Sequence, residues 1–370
     1  MVSERNAAGR MCLLDMHAHL SCFMDKSEPG ADVEERHALA IRELEQRHSD
    51  NISTFFSSGT LDEWKFMQRY RDREEVFLSF GIHPWYADSC SAMWPDVAEV
   101  LRGVKALPGM EGLQGAKALP GTEASHREHS VQEALAEAFK TCDAIGEIGM
   151  DSVWCEVPMD IQRRSFERQL QIAADLKKPV ILHTKGMERE IAAMVRDFPE
   201  PVCVHWYSGG IESFEAFLEM GCYFTLGPDF AEVCVGRSGV KGGKEISDAL
   251  QERKSGMAEP EIGMMPEKSR EPEISREPEG NAETEAKEAL YRIMLREIPA
   301  ERLFVETDGV SSIAWARGTE MAEVSEIPGV LSRNMDLIAE TKNIQRDELY
   351  ERMWKNLGEF FRKTGRSQYS

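Results

Sequence analysis

The sequence has no CxxC pair among its eight cysteines and no apolar run long enough to span a membrane. The absence of a CxxC pair argues against a metal site formed by paired cysteines. Cys142, Cys203 and Cys222 lie in or beside apolar segments that are typical of a buried core. Residues 1–10 are polar and lack the apolar centre of a signal peptide. The lack of a signal peptide and the lack of a membrane-spanning apolar run together predict a cytoplasmic protein without membrane association.

Positive charge is also scarce. The chain has 44 Lys and Arg against 65 Asp and Glu, which gives a formal net charge of −21. General electrostatic binding of nucleic acid uses basic patches, so this charge balance argues against it. It leaves open a cleft in which bound cations meet a phosphate. The hydrophobic fraction of 42% in 370 residues is sufficient for a sizeable core.

Eight short apolar, β-branched or aromatic segments recur along the chain, and most of the gaps between them have a helical pattern. The segments are residues 11–15, 52–57, 76–81, 144–148, 179–182, 202–204, 222–226 and 303–305. Residues 161–176, 211–220 and 337–361 have apolar residues at helical spacing. Strands alternating with helices pair in parallel, and eight such units close a barrel.

The sequence therefore predicts an α/β fold, a TIM-type (β/α)8 barrel formed as a single domain over residues 11–365. An open, doubly wound sheet is the alternative. No glycine-rich phosphate loop follows the first segment, so the usual signature of that alternative is missing.

Two segments interrupt the alternation of strands and helices. Residues 103–127 contain the repeat GVKALPG and GAKALPG, and residues 235–286 contain SREPE twice. Segments rich in Gly and Pro, or in Pro and Glu, bury too little apolar surface to offset the entropy lost on ordering. We predict two insertions, the second of them disordered. Because it lies between the seventh and eighth strands, a lid over the active face is the alternative interpretation.

Residues with metal-ligand chemistry lie at the carboxyl ends of six predicted strands, which meet at one face of a barrel. Five of the nine histidines belong to this set. One histidine at a strand end is more typical of a structural residue, but convergence of all of them predicts a site. In strand order they are His17 and His19, His83, Glu147, His183, His205 and Asp308.

Imidazole and carboxylate together suit Zn²⁺, Mn²⁺ or iron, and carboxylate-rich sites also accept Mg²⁺. Residues two apart in a strand point the same way, so His17 and His19 can hold one ion together. A carboxylate can bridge two ions and thereby help to activate water. We predict two divalent ions (Mg²⁺, Mn²⁺ or Zn²⁺) as cofactors, Glu147 as their bridge and Asp308 as the acceptor of the proton from that water.

Six motifs, in order and spacing, resemble those of the TatD-like deoxyribonucleases, a family of the amidohydrolase superfamily. The resemblance implies a TIM-type barrel, a divalent-metal site and hydrolysis of phosphodiester bonds, often from a 3′ end of DNA. It implies as metal ligands His17, His19, Glu147, His183, His205 and Asp308. The motifs are DMHAHL (15–20), GIHP (81–84), GEIGMD (146–151), PVILHTK (179–185), VHW (204–206) and ETD (306–308).

The resemblance also places His83 and Lys185 near the substrate, where a donor or a cation can hold a phosphate oxygen. Lys185 stands where the family often has Arg, so a point charge replaces a bidentate group. Trp206 is the predicted aromatic contact; it and the nearby Trp85, Tyr86 and Tyr207 can either stack on bases or pack the barrel rim. The chain departs from the common family pattern at Ser21, Ser152 and Gly309-Val310.

The leading prediction is a metal-dependent 3′–5′ exonuclease acting on DNA or nucleotides, at single-stranded ends. One alternative is an amidohydrolase that cleaves a C–N bond in a small substrate. Many such enzymes have a carboxylated lysine on the fourth strand, where this chain has Glu147. The other alternative is an inactive barrel that acts as a binding protein. Nothing in the sequence indicates an obligate protein partner.

Overall fold

A computed structural model describes residues 12–20, 23, 33–90, 123–235 and 281–361. In these residues eight strands form one parallel sheet, in the order in which they follow one another along the chain. The predicted TIM-type barrel is confirmed. The strands are β1 (Leu13–Ala18), β2 (Ile52–Ser58), β3 (Val76–Phe80), β4 (Ala144–Gly149), β5 (Val180–His183), β6 (Val202–Val204), β7 (Tyr223–Leu226) and β8 (Leu303–Val305).

Helices connect the strands, as parallel pairing requires. In the helix at Met159–Leu176, Phe166, Leu170 and Ala173 are buried at spacings of four and three residues, which makes one apolar face. No helix in the described ranges is long and apolar enough to cross a membrane. The helices are α1 (Val33–Ser49), α2 (Leu61–Met67), α3 (Ala87–Cys90), α4 (Glu123–Thr141), α5 (Met159–Leu176), α6 (Glu188–Met194), α7 (Ile211–Glu219), α8 (Phe230–Val235), α9 (Asn281–Glu297), α10 (Val310–Arg317), α11 (Ile327–Lys342) and α12 (Arg346–Phe360).

Two element boundaries differ from those predicted. β1 continues to Ala18, which pairs with Phe56 of β2 after a register shift, so His17 lies within the strand rather than after it. The helical segment predicted at 337–361 is divided between α11 and α12. Asn343 has a φ of 52°, a left-handed conformation that Asn tolerates and that ends α11.

The barrel is nearly closed beside β1 and β8. The backbone N–H of Asp308 donates to the carbonyl oxygen of His17 at 2.9 Å. The interior is filled with apolar side chains, among which Phe55, Phe77 and Phe361 have nearly parallel rings. This packing fixes the strands whose carboxyl ends carry the predicted site.

Most of the two predicted insertions, residues 103–122 and 236–280, lies outside the described residues. The described chain resumes at Glu123 in α4 and at Asn281 in α9, so both predicted segments end in helices. In α9, Tyr291, Met294 and Leu295 are buried against the rest of the barrel. The apolar positions of α9 explain why it belongs to the fold rather than to an insertion.

Candidate metal centre

The six residues predicted as metal ligands meet at the carboxyl ends of the strands. His17 is completely buried, and the other five line a cavity of about 560 Å³. The structure therefore brings together the whole predicted set. The residues are His17 in β1, His19 just after it, Glu147 in β4, His183 at the end of β5, His205 after β6 and Asp308 after β8.

Glu147 lies at the centre of the set, and its two carboxylate oxygens face different histidines. Oε2 is 3.1 Å from Nε2 of His19 and 3.4 Å from Nε2 of His17. Oε1 is 2.6 Å from Nδ1 of His183 and 2.9 Å from Nε2 of His205. A buried carboxylate with histidines at both oxygens is suited to bridging two cations.

Asp308 is carried by a turn with an unusual backbone. Its φ is 55° and that of Gly309 is 94°, and a Cβ on Gly309 would lie 2.5 Å from the carbonyl oxygen of His19. Glycine is therefore required next to Asp308. The turn places Oδ1 of Asp308 3.3 Å from Nε2 of His17, and Ser312 donates a hydrogen bond to Oδ2 at 2.7 Å.

The buried polar atoms fit a metal centre. Among the described residues, Nδ1 of His17 has no hydrogen-bond partner, and the carboxylates nearest to its Nε2 are those of Asp308 and Glu147, at 3.3 and 3.4 Å. Buried polar atoms without partners are costly, and a divalent cation is a partner for neutral imidazole. In the part of the chain that the structure describes, three groups have ligand atoms within 4.8 Å of one another, namely His17–His19–Asp308, His17–Glu147–His205 and His83–Glu147–His183.

The pKa values of these groups reflect their mutual attraction. Burial opposes protonation of His17, but Asp308 and Glu147 outweigh it and raise its pKa from 6.5 to about 9. Burial also opposes ionisation of the two acids. The surrounding histidines nevertheless lower the pKa of Asp308 to about 2 and hold that of Glu147 well below its ordinary value. Both carboxylates are ionised at neutral pH and available as ligands.

His83 lies at the same site but differs from the other histidines. Its Nε2 is 3.7 Å from Oε1 of Glu147, within the third group of ligand atoms. Burial lowers the pKa of His83 to about 4, so this imidazole is neutral at neutral pH. Its predicted contact with substrate stays a prediction, and its position also fits a metal ligand.

Lys185 and Trp206 line the cavity as well, and each is positioned by a polar contact. Nζ of Lys185 donates to Oγ of Ser208 at 3.1 Å, and the indole N–H of Trp206 donates to Asp229 at 2.9 Å. Tyr207 is 1% exposed and belongs to the core. The rim-packing interpretation therefore holds for Tyr207, whereas Trp206 faces the cavity.

Two further acids contact the ligand histidines, and the sequence alone did not indicate a role for either of them. Oδ2 of Asp151 is 3.1 Å from Nε2 of His183, and Oε1 of Glu306 is 3.3 Å from Nδ1 of His205. Both side chains are completely buried. An acid at the second nitrogen of a ligand histidine fixes its ring orientation and tautomer. The GEIGMD and ETD motifs contain these acids, but the pairing of each with a histidine is a tertiary feature.

Other cavity residues lie outside every motif. Lys287 is on α9, Trp315 is on α10, and Trp154 is in the loop after β4. Glu63, on α2, also lines the cavity and accepts a hydrogen bond from the N–H of Gly59 at 2.9 Å. No sequence signal distinguishes these residues from ordinary surface positions.

Two proteins named as nucleases are similar to parts of this chain in sequence. The human protein named 3′-5′ RNA nuclease TATDN2 is 30% identical over 211 residues, which cover 56% of this chain and 23% of that protein. A fission yeast (Schizosaccharomyces pombe) protein named Deoxyribonuclease Tat-D is 31% identical over 99 residues, or 25% of this chain and 32% of that protein. The chain thus spans about a quarter to a third of the length of these two relatives.

A solved structure shares the fold. The crystal structure of YJJV, a TatD homologue from Escherichia coli K12, superposes with a TM-score of 0.56 and 15% identity, covering 95% of this chain and 98% of that one. The family model described as TatD related DNase matches residues 14–233, more than half of the chain and five of the six predicted ligands. The predicted family is confirmed: this chain belongs to the TatD-related DNase family.

Proposed function

We propose that this protein is a metal-dependent exonuclease that removes nucleotides from the 3′ end of single-stranded nucleic acid. The proposal is carried by Glu147, whose oxygens face two sets of histidines in a cavity that also contains Lys185. Relatives named as RNA and DNA nucleases favour a phosphodiester over a C–N bond as the bond cleaved.

The ligands divide into two groups that share Glu147. His17, His19 and Asp308 would hold one divalent ion, and His183 and His205 would hold the other. Mg²⁺, Mn²⁺ and Zn²⁺ are all compatible with this mixture of imidazole and carboxylate. The ions would lower the pKa of a water molecule and neutralise charge on the phosphate.

We assign proton transfer to Asp308. The neighbouring histidines hold the pKa of Asp308 below its ordinary value although burial opposes this, so the carboxylate is ionised. Its position beside His17 would let it accept the proton of the attacking water. Lys185 would hold a phosphate oxygen as a point charge. Neutral His83 would donate a hydrogen bond to the same group.

The size and charge of the cavity support a strand end as substrate. A cavity of about 560 Å³ falls in the range of small-ligand sites, which suits the end of one strand better than the side of a duplex. The net charge of −21 argues against an extended phosphate-binding surface. Attraction for the substrate would therefore come from the cavity lysines and the ions.

The test uses protein stripped with a chelator and restored separately with Mg²⁺, Mn²⁺ or Zn²⁺. Its substrates are single-stranded DNA and RNA labelled at the 5′ end, a circular single strand, and a panel of acyl amides. We expect metal-dependent shortening from the 3′ end, an intact circle, and loss of cleavage in Glu147→Gln. Cleavage of the circle would show an endonuclease instead. Cleavage of amides alone would show the C–N hydrolase, and no turnover would favour the binding protein.

A further inference from the structure

Three tryptophans form one cluster at the mouth of the cavity. The ring centroid of Trp315 is 5.8 Å from that of Trp154 and 5.6 Å from that of Trp206, at interplanar angles of 73° and 83°. Trp154 and Trp315 are 51% and 54% exposed. In an edge-to-face contact one ring presents its edge to the face of the other, and the exposed half of each of these two indoles is open to a further partner. Burial in the core therefore does not explain these two indoles.

A lysine accompanies each exposed indole. Nζ of Lys185 is 4.5 Å from the ring centroid of Trp154, and Nζ of Lys287 is 5.9 Å from that of Trp315. Lys287 is held by Asp229, whose Oδ2 is 2.8 Å away. All four aromatic and basic residues line the same cavity as the metal-ligand residues. Flat apolar surface next to a cation matches the chemistry of an unpaired nucleotide, which has a π-face and a phosphate.

Lys185 and Lys287 both line this cavity. A phosphate is the complementary group for two neighbouring cations, in a protein that is otherwise strongly acidic.

We propose that Trp154, Trp315 and Lys287 form a nucleotide subsite that stacks an unpaired base flanking the scissile phosphate and holds an adjacent phosphate. The inference rests on the proposed nuclease function and specifies how its substrate is recognised. Stacking on an indole face requires a base that is free of its complementary strand. The subsite therefore selects single strands and frayed ends by their bases, with little preference for sequence.

The first test changes the substrate and leaves the protein intact. Wild-type protein is assayed on single-stranded oligonucleotides carrying an abasic residue on either side of the terminal scissile phosphate, beside the intact oligonucleotide. We expect kcat/KM to fall about 5- to 150-fold when the stacked base is missing. Equal rates on all three substrates would overturn the subsite. No cleavage of any oligonucleotide would instead overturn the nuclease function itself.

The second test combines the substrate change with variants. Trp315→Ala and Trp154→Ala should lower kcat/KM on the intact oligonucleotide and have little further effect on the abasic one. Lys287→Gln should weaken binding of both and reduce its salt dependence. Matched controls are Met321→Ala, at an exposed apolar residue outside the cavity, and Lys355→Gln, at a lysine that is 74% exposed. A deficit in the tryptophan variants that is equal on intact and abasic substrates would contradict base stacking.

Discussion

The carboxylate of Asp15 accepts two hydrogen bonds from Thr307, one from its backbone N–H at 2.8 Å and one from its hydroxyl at 2.6 Å. This contact joins β1 to the residue directly before Asp308. Arg47, which is 2% exposed, donates to the same carboxylate at 2.8 Å. Asp15 therefore serves the barrel and the site together, because it fixes the segment that carries Asp308.

We predict that Asp15→Ala lowers the free energy of unfolding by about 3 kcal/mol, because it leaves the Arg47 charge buried with Glu43 as its remaining acidic partner. Urea unfolding measures the change. Asp160→Ala, which removes a 67% exposed partner of Arg164, should change stability by less than about 1 kcal/mol. Equal losses in the two variants would contradict a special role for Asp15.

Glu147→Gln and Asp308→Asn should each lower turnover more than about 100-fold and leave the fold intact, because each removes a charged ligand from the centre. Calorimetric titration with Mn²⁺ should show weaker binding in both variants, and circular dichroism should match the wild type. The control is Glu215→Gln, at an exposed position on α7. Full activity in either site variant would overturn the assigned mechanism.

Asp151→Asn tests a residue that orients a ligand. One nitrogen of His183 faces Glu147 and the other faces Asp151, so loss of the Asp151 charge should free the ring and its tautomer. We expect metal affinity to fall about 10- to 100-fold. Excess metal should restore most of the turnover, which a residue acting directly in catalysis would not permit. Unchanged Mn²⁺ affinity in Asp151→Asn would refute the orienting role.

Metal binding should strengthen as pH rises. Asp308 and Glu147 raise the pKa of His17 to about 9, although burial opposes this shift. Below that pH His17 therefore holds a proton that an ion must displace. The two acids have lowered pKa values and contribute no such proton at neutral pH. Titrations at pH 7 in buffers of different ionisation enthalpy should show proton release on binding. Binding without proton release would rule out His17 as the protonated ligand.

Glu63 should make the metal-free protein less stable at alkaline pH. Burial raises its pKa from 4.5 to about 7, against the opposing effects of His19 and the Gly59 N–H. The folded state therefore binds more protons than the unfolded state in that interval, and stability falls as pH rises through it. Glu63→Gln should match the wild type near pH 5 and exceed its stability by roughly 3 kcal/mol near pH 8.

Thermal unfolding over this pH range, with chelator present, measures the difference between Glu63→Gln and the wild type. The matched control is Asp62→Asn, at the exposed neighbouring position, which should keep the wild-type profile. If the curves of Glu63→Gln and the wild type run parallel from about pH 5 to about pH 8, the buried charge is not the cause.

The sequence by itself determined the barrel and the chemistry of its centre. Eight apolar segments separated by helical patterns favour parallel pairing, and parallel pairing brings every carboxyl end to one face. For that reason His17, Glu147 and Asp308 could be placed at one site although they are far apart in the chain. Local patterns were sufficient because strand direction alone decides which end of each strand faces the site.

Tertiary structure decided what strand order leaves open. The approach of His83 to Glu147, the pairing of Glu306 with His205, and the meeting of Trp315 with Trp154 all depend on side-chain orientation between elements distant in sequence. The hydrophobic periodicity of the sequence does not predict such contacts, because the local sequence around each of these residues is that of an ordinary strand end, loop or helix. The packing of the whole barrel sets the distances of a few ångströms between side chains on separate elements. That packing therefore decides which histidines and acids are close enough to form a site.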